Sequence, residues 1–183
     1  MNIKNWTDKY LLAETLVRVR EERRVTLTVL EHLAEIDRRR LFSDLKYPSL
    51  FSYCVEELGY SEAAAQRRIE SMRLLREVPA AAEKIALGKI SLSNLARTQT
   101  FLRQEKKAGK TYSLQEKQAL VAEIEGKSSR TVEKLLAEKN PDQVRVKESC
   151  RAVSSELSEL RLIVDEKFLA NLQKLKDLLA HKM

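Results

Sequence analysis

Gln66, Arg67 and Arg73 stand within one stretch, SEAAAQRRIESMRLLREV, spaced to share the face of a helix opposite an Ile69–Met72 apolar stripe. Glutamine offers a bidentate amide to adenine, and arginine offers a bidentate guanidinium to guanine, so these residue types suit readout of base edges. Glu70 falls on the same face and suits readout less; its role there is to orient an arginine. Lys84, Lys89 and Arg97 form a second basic element just downstream. The alternative for each of these cations is a solvated surface charge.

No constellation of catalytic type accompanies them. His32 and His181 are the two histidines, far apart in sequence, and neither has a second ligand at metal spacing. Glu21-Glu22 and Glu56-Glu57 are sequence neighbours, which point in different directions on a helix and form no dyad. Glycine-rich phosphate loops, HExxH and GxSxG are absent. The reading assigns no catalytic residue, no metal and no cofactor.

Positioning the basic side chains requires a helix held down by a second helix. Pro48 restarts the chain, Ser49 caps a helix over LFSYCVEEL, and Gly59 ends it in a left-handed turn. Ser61 then caps the longer basic helix, whose core stripe is Ala65, Ile69, Met72 and Leu75. A short helix, a glycine turn and a longer basic helix make a helix-turn-helix.

The charge distribution agrees. The net charge is +7, and residues 61–110 alone carry eleven basic and five acidic side chains, a local excess of +6. A clustered excess favours a polyanionic partner, because neutralised phosphates release condensed counterions. Double-stranded DNA is therefore the expected partner. The polar start MNIKNWTDKY lacks a signal-peptide core, and no apolar run approaches the roughly 20 residues of a membrane helix. Cys54 sits in an apolar run and reads as a small core residue, while Cys150 has no CxxC partner. These features predict a cytoplasmic protein without membrane contact.

With four glycines and three prolines in 183 residues, the chain has few helix breakers and reads as all-α. Expected helices run from Thr7 or Asp8 to about residue 22, with Leu11, Leu12, Leu16 and Val19 apolar, and from 25 to 42. Pro79 opens a short helix ended by Gly88, and Ser91 caps the next. KKAGK at 106–110 reads as a linker. Ser113 and Glu116 form a capping box, Gly126 ends that helix, and Ser128 or Ser129 caps another. Residues 1–140 make the helical DNA-binding domain, with the helix-turn-helix within 49–97, and 141–156 read as a linker. Residues 157–183 form a strand–helix extension with LSELRLIVD as the lone strand. An unpartnered strand predicts pairing with a second copy, so segment 157–179 is a candidate homodimer contact.

The run LGYSEAAAQRRIESMRLLREVPAAAEKIALGKISLSNLA resembles the DNA-binding region of ParB-type partition proteins. The likeness is carried by Gly59, Arg73-Leu74-Leu75, Pro79 and Gly88-Lys89-Ile90-Ser91-Leu92. It departs at Ser93-Asn94-Leu95, where that family has Gly-His-Ala, and the family's nucleotide-binding region has no counterpart. The local fold is implied; partition is not. EIDRRRLFSDLKYPSLFSYCVEELGYSEAAAQRRIESMRLLREVP, GKISLSNL and SELRLIVDEKFLANLQKLKDLLAHK together resemble the region that precedes the nuclease domain in a family of bacterial HNH endonucleases. That resemblance implies a helical targeting region leading through a strand and helix into an HNH domain, and it leaves a non-catalytic DNA-binding protein and a truncated nuclease as the two readings.

Overall fold

Thr7 starts the first long helix by accepting a hydrogen bond from the Tyr10 amide at 3.4 Å. The computed structural model describes residues 3–140, 149–154, 156–162 and 164–180. Within them the chain is all-α apart from one two-stranded hairpin, and it divides into two compact units, Met1–Lys139 and Asn140–Met183.

Helix α1 (Asp8–Arg39) is one continuous helix of 32 residues where two were expected. Residues 22–25, Glu-Arg-Arg-Val, hold neither glycine nor proline, so nothing interrupts the backbone hydrogen bonds. The real stop is Arg40, at φ 58°, whose amide donates back to the carbonyls of Asp37 and Ile36. Only the far half of α1 is packed. Leu30 and Leu33 are buried, whereas Leu12 and Leu16 stand 69% and 60% exposed, Leu11 is exposed and Val19 is half-buried. Leu11, Leu12 and Leu16 of the expected stripe thus face solvent, whereas Val19 lines a cleft with Arg67 and Ile85.

After the short α2 (Leu41–Asp44), Ser49 caps α3 (Leu50–Ser52), which continues as a π-helical turn over Tyr53–Glu57. Wider π hydrogen bonding follows, with the Leu58 amide donating to the Tyr53 carbonyl at 3.2 Å. Gly59 then turns the chain at φ +69°, a conformation that favours glycine. Ser61 caps α4 (Glu62–Glu77), accepting from the Ala64 amide at 3.3 Å. Helix α5 (Ala81–Ala86) follows Pro79, and Ser91 caps α6 (Leu92–Lys107). Helix α6 takes in the first two residues of the expected linker, because Lys106 and Lys107 belong to its last turn, and Ala108-Gly109-Lys110 leaves it. The capping box of Ser113 and Glu116 opens α7 (Leu114–Glu123), and the Ser128 hydroxyl accepts the Thr131 amide to begin α8 (Ser129–Lys139).

Two apolar clusters share α4. Ala65, Ile69 and Met72 face Leu30, Leu33, Phe42, Leu50 and Cys54. Leu74 and Val78 face Ile85, Ile90, Leu95, Leu120, Val132 and their neighbours. Each buried leucine contributes about 1.5–3 kcal/mol by leaving water, so α4 is gripped from two sides. Burial also raises the Cys54 thiol pKa, which keeps it a neutral core side chain. Polar pins fix α6 to its neighbours. Ser71 Oγ donates to the Leu92 carbonyl at 3.0 Å, Asn94 Nδ2 donates to the Lys127 carbonyl at 2.9 Å, and Ser129 Oγ donates to Asn94 Oδ1 at 3.0 Å.

In the second unit the expected lone strand has a partner in its own chain. Strand β2 (Ser158–Arg161) pairs antiparallel with β1 (Ser149–Ala152), in the register Ser149 to Arg161 and Ala152 to Ser158. Part of the expected 141–156 linker is therefore strand, and one edge of the strand that suggested a homodimer through 157–179 is paired within the chain. Helix α9 (Glu166–Ala180) follows, with Phe168, Leu172 and Leu175 exposed.

Candidate nucleic-acid interface

Because α4 is clamped by two cores, its middle is buried and its exposed surface lies at its two ends, with Arg76 and Glu77 closing the helix. Glu62, Ala63, Gln66 and Arg67 are exposed, whereas Ile69 to Met72 and Leu74 are buried apart from the half-buried Arg73. This corrects the expected single readout face. Gln66 and Arg73 line a cleft of about 290 Å³ together with Asp37, Arg40 and Arg103, while Arg67 lines a different cleft.

Gln66 and Arg73 share the helical row of Glu70, which is 1% exposed, and Arg67 lies one position round the helix from that row. Glu70 Oε1 accepts from Gln66 Nε2 at 2.9 Å and pairs with Arg103 Nη1 at 2.9 Å and Arg73 Nη1 at 3.5 Å. Its Oε2 has no hydrogen-bond partner. Glu70 does orient an arginine, as expected, and it draws a second one from α6. Arg73 is thereby committed to the fold.

The second basic element is also committed. Lys84 Nζ lies 2.7 Å and Lys89 Nζ 3.0 Å from the Glu125 carboxylate, at the end of α7, and Arg97 Nη2 lies 2.8 Å from Glu133 of α8. The Gly126 amide completes this junction by donating to the Lys89 carbonyl at 2.8 Å. Hydrogen bonds from Lys84 first and Lys89 second hold the Glu125 carboxyl below its ordinary 4.5. A depressed carboxylate stabilises the folded chain above its unfolded value, and that contribution is lost as pH falls through the lowered folded value. Glu125→Gln is therefore expected to speed hydrogen exchange at the Gly126 amide about two- to fivefold at neutral pH. Below the depressed value, wild type and variant should exchange alike. Amide exchange followed by NMR reads both arms, and equal rates at neutral pH would show that the lysine pair does not hold this junction.

Arg67, in contrast, makes no ion pair among the described residues. Arg68 lies 4.1 Å over the Tyr60 ring and donates Nη1 to the Ala64 carbonyl at 3.3 Å. Of the six residues singled out in the sequence, Arg67 alone presents a guanidinium without an acidic partner; Gln66 is exposed but held by Glu70. Sequence reasoning missed Arg23 of α1 and Arg68, which line the same cleft as Arg67. Nothing local marks Arg23, since it sits in the middle of a helix 44 residues before Arg67.

The described residues hold no group of three or more His, Cys, Asp or Glu side chains arranged for a metal ion. His32 Nδ1 lies 2.7 Å from the Thr28 carbonyl of its own helix. His181 lies outside the described residues. No described helix is long and apolar enough to cross a membrane. Comparison with protein-family models, with curated proteins and with solved structures finds no match to this chain.

Proposed function

We propose that this chain binds double-stranded DNA through the helix-turn-helix of α3 and α4, offering the first two turns of α4 to the duplex. The observation that carries the reading is the exposure of Gln66 and Arg67 at the start of a helix whose middle is locked into two cores. Recognition helices of this motif read bases with their N-terminal residues. A rigidly held helix start, basic and exposed, is the part such a motif needs.

A labelled duplex titrated by fluorescence anisotropy tests it. Log affinity should fall linearly with log salt, with a slope of about −0.9 per phosphate neutralised, read between about 50 and about 200 mM. Folded protein that fails to bind at the lower salt sinks the proposal.

A second reading is that residues 1–183 form the targeting part of an HNH-type endonuclease. Its support is the order β2 then α9 after the helical unit, which is the strand and helix that the sequence resemblance implies. The coding sequence beyond codon 183 decides it. An in-frame HNH motif supports this reading, and a stop codon there removes it.

A further inference from the structure

Arg23, Arg67 and Arg68 converge on one cleft of about 420 Å³, lined also by Glu22, Thr26, Ile85, Ser91 and Ser93. None of the three guanidinium groups is ion-paired among the described residues, and Glu22 pairs with none of them. Many cations of the helical unit are ion-paired. Arg73, Arg76, Arg97, Arg103, Lys84, Lys89 and Lys117 all have a carboxylate within 4.0 Å. Arg24, Lys46 and Lys127 are unpaired among the described residues as well, but here three unpaired guanidinium groups line one cleft.

Arg23 is also housed. Its guanidinium lies over Gly88, and a Cβ at that position would come within 2.3 Å of Nη1 and 2.4 Å of Cζ. Gly88 sits at φ +73°, so the turn favours glycine on conformational grounds and the missing side chain leaves the space that Arg23 fills. The 16-residue α6 begins at the floor of the cleft, and its first amides have no partner inside the helix. Guanidinium forks and helix amides are both donors suited to phosphate oxygens.

We infer that this cleft seats a backbone phosphate of bound DNA, with Arg23 as its fixed donor, Arg68 beside it and Arg67 at the rim that joins the seat to the exposed start of α4. The inference rests on the DNA-binding reading. The seat anchors the duplex from α1 while α4 addresses the groove, in keeping with the division between phosphate contacts that position and base contacts that specify.

The test compares wild type with Arg23→Gln and Arg23→Lys, with circular dichroism showing that each is folded. Anisotropy on a duplex is read across salt. Separately, inorganic phosphate is titrated at constant ionic strength while NMR follows the Leu92 and Ser93 amides. Arg23→Gln is expected to lower the salt slope by about 0.9 and the affinity about three- to tenfold, with Arg23→Lys recovering most of the slope. Phosphate should shift both amides in wild type and not in Arg23→Gln. A duplex bound with unchanged slope in Arg23→Gln overturns the seat and leaves the DNA reading standing. Arg23-dependent phosphate shifts without any duplex binding keep the seat as a site for a free anion and overturn its assignment to DNA, along with the DNA reading. Neither effect in wild type overturns both.

Discussion

Replacing Glu70 by alanine is expected to lower the unfolding free energy by about 2–4 kcal/mol, because a buried carboxylate that gathers several donors leaves them unmatched when it goes. The side chain is 1% exposed and collects Gln66, Arg73 and Arg103 on one oxygen. Arg73 and Arg103 are each 41% exposed, so both guanidinium groups can turn to water, which keeps the cost below that of a fully buried pair. The remaining loss comes from the space left between α4 and α6 and from repulsion between two released cations. Glu70→Gln keeps the shape and an acceptor for Gln66 but removes the charge, and should fall between alanine and wild type. Urea unfolding followed by circular dichroism measures all three. A loss under about 0.5 kcal/mol for Glu70→Ala would place it among ordinary surface changes and would mean that the network does not hold the helix.

The same residue shows how far the sequence could be read. Ser49, Ser61, Ser91 and Ser113 each accept an amide three residues on, so helix starts were visible locally. The all-α class, the left-handed turn at Gly59 and the helix ends at Gly88 and Gly126 were equally legible. What failed depended on partners distant in the chain. Lys84 and Lys89 look like free cations until Glu125, some forty residues on, folds back onto them. Arg73 looks like a reader of bases until Arg103 and Glu70 close around it. The break expected between residues 22 and 25 is absent, because Glu-Arg-Arg-Val holds no helix breaker, and the merged helix ends instead at Arg40, a residue without any turn preference that adopts the left-handed conformation. Strand β1, Ser-Cys-Arg-Ala, is four residues long and too short to show an apolar alternation.

These relocations change which substitution isolates DNA binding. Charge reversal at Arg73 sets a second carboxylate beside Glu70, so any loss of affinity mixes with loss of fold. Arg67→Glu is free of that confusion, since Arg67 is exposed and outside the ion pairs that hold α4. It removes a cation from the start of α4 and sets an anion at the face proposed to meet the duplex. A lost arginine contact costs about 1–3 kcal/mol in discrimination or affinity, and repulsion adds to it, so affinity at about 0.1 M salt should fall about a hundredfold or more. The unfolding midpoint should stay within about 2 °C, as for a surface change that breaks no contact. Arg67→Lys then separates two roles for this side chain. Lysine preserves a phosphate contact and the salt slope, but it cannot reproduce a bidentate guanidinium pair on guanine. Anisotropy on duplexes differing in sequence reads the difference: loss of sequence preference with the slope retained assigns Arg67 to a base, and near-normal behaviour assigns it to the backbone. An Arg67→Glu protein that binds as tightly as wild type removes α4 from the interface altogether.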